Sequence, residues 1–269
     1  MSLEKVHSAD GTAIAFDRLG RGRPLVLLAG GMCDRRTFTE LADVLAADFE
    51  VFNVDRRGRG DSGDTAPYAV GREIEDIAAV IQAAGDRAAL FGHSSGAALA
   101  LEAVAADTDG VLGVDRLLLF EPPYQLDPAT NRQSADLSER YAALVDAGGR
   151  GDAVELFMTT VGMPPEAIAG ARSQPFWPAL EGIAHTLAYD AAIMGDGTFP
   201  AERAAAVGLP TLVLVGGASP PWAAAAGSAL EAAIPYATLR TIEGQDHNVT
   251  PETLVPAIRD WLTRDQSVT

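Results

Sequence analysis

Gly92-His93-Ser94-Ser95-Gly96 has the Gly-x-Ser-x-Gly spacing that suits nucleophilic attack by a serine. The spacing has a steric cause. A serine held in a sharp strand-to-helix turn exposes its hydroxyl, and its neighbours two residues away must then be nearly free of side chain. The run "ALF" before the motif and "AALALEAV" after it supply such a strand and helix. In that setting the helix N-terminus and the Ser95 N–H face any oxyanion forming on a substrate.

Such a serine needs a base, and the chain has only four histidines. His7 precedes the core and reads as a surface residue. His93 lies inside the turn, where its geometry points it away from the Ser94 hydroxyl. His185 falls in a helical region, with packing or hydrogen bonding as its expected role. His247 follows a strand and precedes Pro251 at a helix start, which places it at the same sheet edge as the turn and makes it the candidate base.

The elements that must hold these residues read as alternating strands and helices. "TAIAF" (12–16) alternates as a half-buried strand does, while "PLVLLAG", "FEVFNVD", "RAALFG", "DRLLLF" and "PTLVLVGG" are dense apolar runs buried on both faces. Ile74, Ile77, Ala78 and Ile81 recur at helical spacing between them. The pattern predicts an α/β fold, a mostly parallel sheet with helices on both faces. It stops after "FEPPY" and resumes at "PTLVLVGG". Residues 1–122 and 201–269 are thus expected to form one core, interrupted by a helical insertion at 123–200.

Composition narrows the partners. Among 269 residues, 48% are apolar and 21% charged, as in ordinary globules, and the net charge is −17. So acidic a surface disfavours nucleic acid and anionic membrane. One cysteine, Cys33, fits a reducing compartment, and "MSLEKVHSADG" lacks the basic and apolar regions of a signal peptide, so a cytoplasmic location is expected. No Cys/His cluster or phosphate loop points to a metal or cofactor, and none is expected. The expected partner is a small-molecule substrate, with a homodimer left open.

With these motifs the chain resembles the α/β-hydrolase family over essentially its full length. "LVLLAGG" resembles the family strand that ends in His-Gly, with Ala29 replacing the histidine. "NVDRRGRGDS" (53–62) is similar to its Asp-x-Arg-Gly-x-Gly-x-Ser stretch, and "GQDH" (244–247) to the loop bearing the catalytic histidine. The insertion lies where the family places a helical cap. The resemblance implies a triad of Ser94, an acid and His247 in that chain order.

The acid is displaced. Its usual place, after "TLVLVG", holds Ser219, and Asp190 and Asp196 read as solvated residues late in the cap. Asp246 adjoins His247, and neighbouring loop side chains seldom fold onto one another. Glu121 follows the buried run "LLLF", at the edge where the turn opens, and some family members take their acid from this position. Glu121 is the expected acid.

The resemblance also implies a second oxyanion donor, Gly31 N–H beside that of Ser95, with Gly30 and Met32 as near alternatives. Asp55 and Arg56 read as structural residues. Phe157, Met158, Met163, Phe176 and Trp177 either seal the cap or face substrate; Phe157 and Trp177 are the expected substrate contacts. The implied activity is a serine hydrolase on an ester or lactone of a small apolar molecule. Carbon–carbon bond hydrolysis, perhydrolysis or acyl transfer on the same triad is the near alternative, and a non-catalytic ligand-binding protein the distant one. Haloalkane dehalogenation is disfavoured, since it needs an aspartate where Ser94 stands.

Overall fold

The computed structural model describes residues 2–127, 131 and 135–263. Its strands are β1 (Ser2–His7), β2 (Ala13–Gly20), β3 (Arg23–Leu28), β4 (Phe49–Val54), β5 (Ala88–His93), β6 (Val114–Phe120), β7 (Thr211–Gly216) and β8 (Ala237–Ile242). They form a single eight-stranded sheet in the order β1-β2-β4-β3-β5-β6-β7-β8. β2 runs antiparallel to β1 and β4, and every later pairing is parallel. The expected α/β architecture is therefore present, with an antiparallel ribbon at one edge.

The central strands are apolar throughout because both faces are covered. Successive side chains alternate between two cores. Val26, Leu90, Leu117, Leu119, Val213 and Val215 face one, together with α2 (Val70–Ala83), α3 (Ser95–Ala106), α9 (Ala201–Ala206) and α10 (Pro221–Ala233). Leu25, Leu27, Phe91, Leu118, Phe120, Leu212 and Leu214 face the other, under α1 (Thr39–Leu45) and α11 (Pro251–Thr263). The Ile77–Ile81 stripe faces the first core, as its period requires.

Between β6 and β7 lie α4 (Leu137–Asp146), α5 (Arg150–Thr160), α6 (Pro165–Arg172), α7 (Trp177–Ile183) and α8 (Leu187–Met194). They share a third apolar cluster of their own, built on Leu137, Tyr141, Val154, Met158, Trp177 and Leu187. α8 packs on α3, the helix that starts at the Gly-x-Ser-x-Gly turn. No helix among the described residues is long and apolar enough to cross a membrane.

Candidate active site

β5 ends at His93, α3 begins at Ser95, and Ser94 joins them at φ 56°, ψ −127°. That backbone is strained for a residue with a side chain and persists because its surroundings hold it. The Ser94 N–H donates to Phe120 O at 2.9 Å, and Ser94 O accepts from the Ala97 and Ala98 N–H groups. A Cβ on Gly92 would overlap the Gly96 carbonyl, and one on Gly96 would overlap Leu28 O. Only glycine fits either place, which is the physical content of the motif.

Glu121 leaves β6 at the adjacent strand end, since His93 and Phe120 are register partners. Its backbone also takes a left-handed conformation, φ 49°. The carboxylate is buried and fully engaged. Oε2 lies 2.6 Å from His247 Nδ1, while Oε1 accepts from Gly216 N–H at 2.7 Å and Ser219 Oγ at 2.5 Å. Burial pushes its pKa up, but the bonds from His247, Ser219 and Gly216 outweigh that and hold it below the ordinary carboxylate value. The Ser219 hydroxyl, just after β7, thus fastens the carboxylate at the end of β6.

His247 is partly exposed, and its ring is enclosed by His93 (centroids 4.8 Å apart), Phe120 (6.4 Å) and the edge of Trp222 (5.5 Å). His93 Nε2 lies 2.9 Å from His247 O and donates to it. Burial, then the neighbouring His247, depress the His93 pKa to about 3, so that ring is neutral and carries its proton on Nε2. The His247 loop is thereby tied to the turn that bears Ser94. Asp246 turns outward and accepts from the Asn248 N–H and amide. His7 is exposed at the sheet edge, and His185 meets Asp64 and Arg150.

The loop after β3 approaches Ser94 closely: a Cβ on Gly30 would lie 2.8 Å from Ser94 Cβ. A Cβ on Gly31 would stand 3.2 Å from Asp190 Oδ2 and 3.6 Å from the Phe157 ring. Met32 follows at φ 57°, and Cys33 is half-buried against the second core. Phe157, half-buried, therefore reaches the predicted oxyanion loop. Trp177 does not. It is buried inside the third cluster, its indole N–H donates to Glu181 at 2.9 Å, and Arg172 lies over its ring.

Asp190 departs from expectation most. It is buried, not solvated, because its oxygens accept from Arg59 Nη2 (2.7 Å), Ser95 Oγ (2.8 Å) and Arg56 Nη1 (2.9 Å). Burial raises its pKa, but the charges of Arg59 and Arg56 and these bonds more than reverse that and leave it lowered. Arg56 makes a bidentate pair with Glu73 and so does more than close a loop, whereas Asp55 serves its own loop through Arg35 and Asp61 N–H. Asp196 caps its own turn through Thr198. Among the described residues no group of three or more His, Cys, Asp or Glu could hold a metal.

Comparison with known proteins identifies the family. A sequence model described as "Alpha/beta hydrolase family" matches residues 25–256. The chain is similar to the crystal structure of an alpha/beta hydrolase from Sphaerobacter thermophilus, at 48% identity, TM-score 0.88, and 97% and 100% coverage of the two chains. An esterase from Rhodococcus matches at 25% identity, TM-score 0.70, covering 98% and 99%. N-formylmaleamate deformylase of Pseudomonas putida is 36% identical over 107 residues, a stretch that spans 39% of this chain and 39% of that protein.

Proposed function

Because the chain belongs to the alpha/beta hydrolase family and is a hydrolase, we propose that it cleaves an ester or lactone of a small apolar molecule through an acyl-enzyme. The observation that carries this reading is the 2.6 Å contact between His247 Nδ1 and the buried Glu121 carboxylate, beside the strained Ser94 turn. Glu121 accepts a hydrogen bond from the His247 Nδ1–H and so keeps the proton there, leaving Nε2 free to act as base. Ser94 Oγ attacks the substrate carbonyl and His247 takes its proton. The developing oxyanion is met by the Gly31 and Ser95 N–H groups. His247 then protonates the leaving oxygen, and water repeats the sequence to release the acid.

Helices α4–α8 act as a cap over this site, with Phe157 as the apolar substrate contact. Trp177 supports the cap from within. Arg56 and Arg59 are occupied by Glu73 and Asp190, so they offer no free cation, which favours an uncharged substrate. A second reading, hydrolysis of an N-formyl amide on the same residues, is supported by the likeness to the deformylase. A cytoplasmic location and a small-molecule substrate as partner, with neither nucleic acid nor membrane, fit the single cysteine and the acidic charge.

Labelling by a fluorophosphonate probe tests the proposal, since such reagents modify activated serines. Ser94 should be the labelled residue, and His247→Ala should abolish labelling while His185→Ala keeps it. Labelling that survives loss of His247 would overturn the assignment of the base.

A further inference from the structure

We propose that Asp190, with Arg56 and Arg59, is a positioning cluster that sets the two oxyanion donors, so the hole is complete only when α8 is docked on the core. The inference rests on the serine-hydrolase reading above and goes beyond it in naming what orients the donors.

Three contacts carry it. Arg59 Nη1 donates to Gly30 O at 3.3 Å, and Arg56 Nη1 donates to Ala29 O at the same distance. A trans peptide is planar, so its N–H points opposite to its carbonyl. Fixing Gly30 O therefore aims the Gly31 N–H the other way. The guanidinium charge also polarises that amide and makes it a stronger donor. On the other side of the hole, Ser95 is held through its own side chain, because Oγ donates to Asp190 Oδ1 at 2.8 Å.

Asp190 is the common element. It comes from the cap helix α8, whereas Arg56, Arg59, Gly30 and Ser95 all belong to the core. Its Oδ2 fixes Arg59 and its Oδ1 fixes both Arg56 and Ser95. A lone carboxylate so close to Gly31 would oppose a developing oxyanion. Two guanidiniums and the two carboxylates of Asp190 and Glu73 leave the cluster without net charge, so it orients the donors without that repulsion. Thr186, just before α8, also accepts from Arg59 Nε at 3.2 Å.

The test compares Asp190→Asn and Ser95→Ala with wild type, using aryl acetate turnover and a trifluoromethyl ketone. The ketone adds Ser94 Oγ to its carbonyl carbon; the carbonyl π pair moves to oxygen, His247 takes the serine proton, and the resulting alkoxide fills the hole. Rates are normalised to serines titrated with fluorophosphonate. Loss of a whole oxyanion donor costs about 10²–10³ in kcat, so misaiming should cost less. We expect kcat per titrated site to fall roughly 30–100-fold in Asp190→Asn and about fivefold in Ser95→Ala, with KM within about twofold. The ketone inhibition constant should rise in the same proportion.

Asp76→Asn, which strips a partner from the neighbouring Arg57, should lower Tm and leave both constants unchanged. Should Asp190→Asn fail to fold, Ser95→Ala decides alone. Unchanged ketone affinity per titrated site, with any lost rate explained by fewer titratable serines, would overturn the inference while the triad stands. Full turnover in Ser94→Ala would instead remove the serine-hydrolase reading itself.

Discussion

Replacing Glu121 with glutamine keeps the side-chain shape and changes one acceptor into a donor. The three contacts then compete. If the amide oxygen stays on Gly216 N–H and Ser219 Oγ, its NH₂ faces His247 Nδ1 and can only donate to it. The imidazole must then carry its proton on Nε2, where it cannot accept one from Ser94. If the amide flips, NH₂ meets the buried Gly216 N–H, donor against donor, at a cost of about 1–3 kcal/mol. The productive tautomer is thus a minority of roughly one in ten to one in a hundred. Loss of the charged partner to the imidazolium removes about 1.5–3 kcal/mol more from the transition state. Together these predict a fall in kcat of about 10²–10⁴, with the loss that follows removal of the acid in serine proteases at its upper end. Pre-steady-state hydrolysis of a chromogenic ester reads the acylation rate directly, with circular dichroism confirming the fold. Asp246→Asn, whose carboxylate bonds only its own loop, should cost less than about tenfold. Near-normal kcat in Glu121→Gln, with a large loss in Asp246→Asn, would refute the assignment of the acid.

Two further expectations concern other residues. Phe157→Ala should change relative kcat/KM between bulky and small esters, with the acetyl ester least affected, whereas Trp177→Ala should act through stability, lowering Tm as loss of a buried aromatic of about 3–5 kcal/mol would. Thermal melts beside a substrate panel separate the two, and selectivity changed equally by both would contradict the placement of Trp177. His93 is a base whose folded pKa, about 3, lies below its unfolded value near 6.5, so the unfolded chain binds more protons in that window and stability falls as pH drops. The slope is about 1.4 kcal/mol per pH unit, and His93→Gln should flatten denaturant midpoints measured from pH 6.5 downward. An unchanged slope would show that His93 is not the titrating group.

Much of this architecture can be read from local sequence. Strands buried on both faces give unbroken apolar runs, and β3 to β7 stand out for that reason. Glu121 is visible because it follows such a run at the sheet edge where the Ser94 turn also opens. Asp190 escapes the same reasoning. Its partners Arg56 and Arg59 lie over 130 residues upstream, and an aspartate in the first turn of a helix has the pattern of a solvated residue that complements the helix dipole. Trp222 is hidden too, because its contact with His247 depends on how α10 leaves β7. The aromatic positions between β6 and β7 are ambiguous for a related reason. At helical spacing, Phe157 and Trp177 both read as apolar, and only the packing separates the ring beside Gly31 from the one inside the cluster.

The contact between Ser219 and Glu121 bears on how such a site could change hands. Neighbouring parallel strands end roughly 4.8 Å apart, so the ends of β6 and β7 serve one imidazole from two addresses. A chain could move its acid between them, but the order of substitution matters. Installing Ser219→Asp first would put two carboxyl groups in contact, able to share one proton while an acid stays on His247. Removing Glu121 first would leave the base unsupported. A route that keeps His247 supported at every step therefore passes through a form carrying both acids.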